Sequence, residues 1–144
     1  MKRHATANWS GSLGEGKGTI DTQSGALSKH GYSFKARFED ESGKSGTNPE
    51  ELLAAAHAGC FAMQLSHFLA ENGTPADNLE AKSVVTVDQV EGGFEVKTSA
   101  LTLTGKVPGI EDAKFQELAR KAKESCPLSK ALGAIEITLD AKLA

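Results

Sequence analysis

Cysteine is scarce in this 144-residue chain, with only two, too few for the disulfide framework of a small secreted scaffold. Aromatic platforms are also few, one Trp, one Tyr and six Phe, and 16 Lys+Arg stand against 19 Asp+Glu for a formal charge of −3. Few stacking platforms and a net negative charge argue against a nucleic-acid partner. No long hydrophobic run is present: the most apolar stretch, residues 52–65, is interrupted by His57 and Gln64 and falls short of the roughly 20 residues a bilayer span requires. It reads as a core helix, with no membrane partner. Met1-Lys2-Arg3-His4-Ala5-Thr6 carries no apolar stretch, so no secretory signal is expected and the expected compartment is a reducing cytoplasm, where both cysteines are free thiols.

What is present suits one globular domain over residues 1–144, 39% hydrophobic and 24% charged. A chain of this size buries roughly 68–70% of its unfolded surface and needs no covalent staple, so cysteine chemistry here points to function. Three short antiparallel strands are expected at residues 5–10, 18–24 and 32–39, separated by glycine-rich turns. Residues 40–46 form a polar, flexible loop. Asn48-Pro49-Glu50-Glu51 then has the residue order of a helix start, an N-cap candidate followed by proline at the first helical position and a glutamate at capping-box spacing. The helix runs to about Glu71 and stops at Asn72-Gly73. Residues 79–90 and 94–107 alternate and are rich in β-branched side chains, predicting a hairpin about Glu91-Gly92-Gly93. Phe115, Leu118, Ala119 and Ala122 make one stripe of a helix over 112–125. A short helix from Pro127 and a strand over 134–142 complete an α+β class.

Several motifs invite chemistry. The run from Gly11 to Gly18 is similar to a phosphate-binding loop, but Gly18 stands where a magnesium-binding hydroxyl belongs and a strand follows, so a hairpin turn is the better reading. His57 and Cys60 share a helix face at i, i+3 and could join Cys126 on zinc, yet no short ligand pair such as CxxC is present, and a locally hydrogen-bonded core histidine is the plainer reading. His4, His30 and His67 have no partner pattern. Cys126-Pro127 places a sulfur at a helix start, where unpaired N–H groups favour a thiolate. Cys60 lies mid-helix, out of reach of its own helix terminus, and needs a cation. Of the three arginines, Arg3 is terminal and Arg120 sits on a polar helix face, which leaves Arg37 at the end of the third strand.

The run from Gly46 to Met63, GTNPEELLAAAHAGCFAM, followed far downstream by Ser125-Cys126-Pro127-Leu128-Ser129, resembles the osmotically inducible protein C (OsmC) family, relatives of the organic hydroperoxide resistance proteins. The resemblance extends from about Trp9 to Leu143. It implies antiparallel sheets around a long central helix, an intertwined homodimer, and a thiol-dependent peroxidase that reduces organic hydroperoxides, hydrogen peroxide less well, in protection against oxidative and osmotic stress. By resemblance Cys60 is the peroxidatic cysteine, Cys126 the resolving cysteine that closes a Cys60–Cys126 disulfide, and Arg37 and Glu50 the charged pair that serves the thiolate. No metal or other cofactor is implied, and the reductant is a dithiol of lipoyl type. The loop 39–46 is a few residues longer than the family pattern, and it adjoins Arg37.

The chemistry suits those residues. A thiolate attacks one peroxide oxygen, the other leaves as an alkoxide, an arginine stabilises both charges and a glutamate orients it. Glu50 and Cys60 are ten residues apart, about 15 Å along one helix at 1.5 Å per residue, too far for a shared site within a chain. A second chain is therefore expected to bring them together, and Ala54, Ala55, Ala56, Ala58, Gly59 and Ala62 would let another backbone approach closely. The rival expectations are a non-enzymatic dimeric small-ligand binder whose cysteines only fill its core, and a zinc-dependent hydrolase.

Overall fold

A computed structural model describes residues 1–144, which divide into two compact units, Met1–Pro49 and Glu50–Ala144. The first is an antiparallel meander of β1 (Ala5–Ser10), β2 (Lys17–Thr22) and β3 (His30–Ser33) followed by a single-turn helix α1 (Phe34–Phe38). The pairing of Ser10 with Lys17 closes the glycine-rich turn between β1 and β2, so the phosphate-loop likeness is a hairpin in fact. Gly16 is required there, since a Cβ would lie 2.2 Å from the Ser12 carbonyl oxygen. The rings of Trp9 and Tyr32 pack with centroids 5.3 Å apart.

The strand expected over 32–39 ends at Ser33, and Arg37 lies on α1 rather than at a strand end. Tyr32, Phe34, Ala36 and Phe38 alternate with polar residues and so imitate a strand, but two local forces choose the helix. The Ser33 hydroxyl accepts the Ala36 N–H at 3.0 Å, and the Phe34 and Phe38 rings, one turn apart, meet with centroids 5.0 Å apart. The loop expected to be flexible is organised as well. One carboxylate, that of Asp40, accepts the N–H groups of Ser42, Lys44 and Ser45 at 2.8–2.9 Å and the hydroxyls of Ser42 and Ser45. Those hydroxyls, Ser42 first and then Ser45, hold the Asp40 carboxyl far below the usual carboxylate range.

The second unit begins with the long helix α2 (Pro49–Glu71), which ends before Gly73 at φ +79°. Strands β4 (Asn78–Val90) and β5 (Gly93–Lys106) form the expected hairpin, with a register irregularity at Thr86/Val87. Helices α3 (Asp112–Ser125) and α4 (Pro127–Ala131) follow, and β6 (Glu136–Leu143) completes the sheet in the order β4-β5-β6. The α+β class holds, with β6 joining β5 in parallel. The two helices supply the crossover that a parallel neighbour needs.

The core of this unit collects one face from each element. Phe61, Leu65, Phe68 and Leu69 come from α2, Leu101 and Leu103 from β5, and Phe115, Leu118, Ala119 and Ala122 from α3. Each large buried side chain contributes about 1.5–3 kcal/mol. Helix α2 is long and apolar enough to cross a membrane by length and composition, but Phe61, Leu65 and Leu69 on one of its faces are fully buried in the core cluster with β5 and α3. It is a core helix.

Candidate active site

Two of the core stripes end in chemistry. The α2 stripe of Phe61, Leu65, Phe68 and Leu69 extends backward by one turn to His57, a polar residue at a core position, fully buried. The α3 stripe of Phe115, Ala119 and Ala122 extends forward to Cys126, which is fully buried at the joint where α3 ends and α4 begins. The same spacing that builds the core thus points Cys126 at α2.

Cys60 and Cys126, 66 residues apart, have sulfurs 3.1 Å from each other, within hydrogen-bond distance, and both are free thiols. Cys60 is half-buried and faces a cleft of about 280 Å³ lined also by Met63, Gln64, His67 and Pro127. Burial pushes the Cys60 thiol upward, the adjacent Cys126 sulfur adds to this, and the Leu128 backbone N–H, donated to Cys60, pulls the other way. That N–H corrects the sequence expectation. Although Cys60 is mid-helix in α2, it receives help from a helix start after all, the first turn of α4.

His57 is not poised as a metal ligand. Its Nδ1 lies 2.7 Å from the Ser99 hydroxyl on β5, its Nε2 lies 2.8 Å from the Ser129 hydroxyl on α4, and Ser99 in turn lies 2.9 Å from the Ser83 hydroxyl on β4. Both ring nitrogens are occupied by serines, and burial lowers the His57 pKa from 6.5.

Glu50 is buried in the first turn of α2, and α2 runs without interruption from there to Cys60. The ten-residue separation is therefore about 15 Å of helix, and the chain does not bring Glu50 to its own Cys60. Arg37, in the N-terminal unit, lines a pocket of about 300 Å³ with Trp9, Leu13, Tyr32, Phe34 and Phe38, its guanidinium 4.6 Å from the Phe38 ring centroid. Arg3 and Arg120 are exposed.

The family described as OsmC-like protein matches residues 41–140, a span that contains both cysteines. The chain belongs to this family. It is 45% identical over 143 residues to the peroxiredoxin OsmC of Escherichia coli strain K12, covering 99% of this chain and 97% of that protein. It is 36% identical over 102 residues to the organic hydroperoxide resistance protein OhrB of Bacillus subtilis, covering 69% and 73% of the two chains. The crystal structure of B. subtilis OhrB superposes with a TM-score of 0.73 at 30% identity, covering 96% of this chain and 98% of that one.

Family membership makes the chain a cysteine-based peroxidase. Within that frame the residues missed in the sequence are Ser83, Ser99, Leu128 and Ser129. Leu128 and Ser129 carry the one available signal, their place in the Ser125-Cys126-Pro127-Leu128-Ser129 run; Ser99 lies 42 residues from His57, and Ser83 lies 16 residues from Ser99.

Proposed function

We propose that this peroxidase reduces organic hydroperoxides through a sulfenic acid on Cys60, resolved by Cys126. The observation that carries the reading is the 3.1 Å approach of the two sulfurs, one in a cleft and one buried behind it. The Cys60 thiolate attacks the terminal peroxide oxygen, an S–O bond forms as the O–O bond breaks, and the alkoxide takes a proton to leave as alcohol. The Cys126 sulfur then attacks the Cys60 sulfenic sulfur, an S–S bond forms as the S–O bond breaks, and the departing hydroxide takes the thiol proton and leaves as water. A disulfide S–S bond is about 2.05 Å, so about 1 Å of closure completes it. An external dithiol, of lipoyl type in this proposal, restores both thiols by exchange.

Burial and Cys126 together oppose thiolate formation at Cys60, and one N–H is the only opposing influence within the chain. A cation is needed, and we assign that part to Arg37, oriented by Glu50. The apolar surroundings of Arg37 suit the organic part of a hydroperoxide. Because 15 Å of helix separates Glu50 from its own Cys60, the complete site is proposed to form across a homodimer. Surface awaiting a partner supports this: Ala55, Ala56, Gly59, Met63 and Ala70 leave an exposed strip on α2, and every residue of β1 is exposed. A reducing cytoplasm and a part in oxidative and osmotic stress protection complete the proposal.

The test is single-turnover kinetics on two variants. Cys60→Ser should consume no hydroperoxide, and Cys126→Ser should consume one equivalent and then stall as sulfenic or over-oxidised protein. A Cys60→Ser protein that still yields one equivalent of alcohol would reverse the assignment.

A further inference from the structure

Helix α4 has five residues, no side-chain cap, and a proline at its start. Alone it has no stability, because a single turn barely covers the cost of nucleation. Yet two groups of the proposed site depend on its placement: the Leu128 N–H donated to Cys60, and Cys126 at its N-cap, 3.1 Å from the Cys60 sulfur. Something outside the helix must fix it.

The His57 ring meets that need. It sits one turn before Cys60 on α2, is fully buried, and spans from the β5 hydroxyl of Ser99 to the α4 hydroxyl of Ser129 at 2.7 and 2.8 Å. A neutral imidazole has one N–H and one lone pair, and three serine hydroxyls complete the chain Ser83–Ser99–His57–Ser129 with every polar atom partnered, in either tautomer. An apolar residue at position 57 would fill the same core stripe without any of these partners. The polar one ties α4 to the helix that bears Cys60. With both nitrogens engaged by serines, His57 does not itself exchange a proton with Cys60.

We propose that His57 is a positioning residue for the resolving step: through Ser129 it holds the first turn of α4 so that Cys126 captures the Cys60 sulfenic acid before a second hydroperoxide does. The inference rests on the peroxidase reading above. The two fates of the sulfenic acid differ in their chemistry. Attack by Cys126 forms the disulfide and releases water; attack on a second hydroperoxide forms another S–O bond, breaks its O–O bond, releases a second alcohol and leaves a sulfinic acid that Cys126 cannot resolve. A loosened α4 shifts the partition toward the second.

The test uses three variants of the full chain. His57→Asn keeps an amide near the Nδ1 position, toward Ser99, and loses the reach to Ser129. His57→Gln places its amide near the Nε2 position, toward Ser129. Ser129→Ala removes only the α4 hydroxyl. Each is treated with graded cumene hydroperoxide, and intact mass and peptide mapping give the ratio of Cys60–Cys126 disulfide to Cys60 sulfinic acid, alongside the rate of the first alcohol release. His57→Asn and Ser129→Ala should lower the ratio of the resolving rate to the first-step rate by about threefold to tenfold, the scale of one lost hydrogen bond, with His57→Gln closer to wild type. A general loss of folded protein would scale both steps together and leave that ratio alone. Wild-type ratios in both His57→Asn and Ser129→Ala would overturn the positioning role while the peroxidase reading stood. Absence of the Cys60–Cys126 disulfide in the wild-type protein would overturn both.

Discussion

Helices α1 and α4 are each five residues long, and each bears a residue of the proposed site, Arg37 on one and Cys126 at the cap of the other, yet they are held in opposite ways. Helix α1 has local support from its own sequence, the Ser33 hydroxyl on the Ala36 N–H and the Phe34–Phe38 ring contact. Helix α4 has no side-chain cap and is fixed from outside, through Ser129 on His57 and through Cys126 in the core. The difference teaches where precision is needed. A guanidinium on a long side chain can reach its target from a locally stabilised turn, whereas two sulfurs that must form a bond within about 1 Å of travel require a placement enforced by the core.

The strongest way to sharpen the comparison is to remove the charge carried by α1. Arg37→Met should slow hydroperoxide reduction by about 10²–10³-fold, the scale of losing one preorganised charge-stabilising group, with unchanged circular dichroism. A rate within threefold of wild type would detach α1 from the chemistry. Next in size is subunit complementation. Cys60→Ser and Glu50→Ala, each inactive alone, should regain activity after subunit exchange, in up to about half of the dimers of an equal mixture, because one interface of a mixed dimer pairs both intact residues. If no activity returns, Glu50 does not serve a neighbouring Cys60.

Smaller effects separate the two modes of attachment. Ser33→Ala should cost about 1 kcal/mol in α1, read as faster hydrogen exchange confined to residues 34–39, with the main unfolding transition unmoved. Uniformly faster exchange across α3 and β5 would show α1 to be coupled to the rest. For α4 the pH dependence is the probe. His57 has a folded pKa below its ordinary 6.5, so the unfolded chain binds more protons than the folded one as the pH falls through 6.5. The stability this group confers is complete above 6.5 and declines below it. Thermal unfolding across that range should show the decline, and His57→Asn should flatten it. An identical pH profile in the variant would remove His57 as its source.

Legibility in the sequence follows the same division. The α3 stripe, the long α2 helix and the β4–β5 hairpin were readable because each rests on a period along one segment: Phe115, Leu118, Ala119 and Ala122 announce α3 without knowledge of what covers them. Helix α1 is not legible, because Tyr32, Phe34, Ala36 and Phe38 satisfy the strand period as well as the i, i+4 contact, and the Ser33 cap decides between them. The polar composition of the loop after it suggests flexibility, yet Asp40 with Ser42 and Ser45 downstream is also the composition of a side-chain-closed turn. The cysteine motifs were legible by resemblance. The His57 network is not, since its partners lie 42 and 72 residues away and no pattern along the chain ties Ser99 or Ser129 to His57 until the chain is folded.

One measurement bears on the central claim most directly: thiol titration with peptide mapping after one equivalent of cumene hydroperoxide. The sulfurs of Cys60 and Cys126, 3.1 Å apart in the reduced chain, should both be lost to titration, with a single cross-linked peptide pair and one equivalent of cumyl alcohol. Two thiols still titratable after the peroxide has been added, with no alcohol formed, would contradict it.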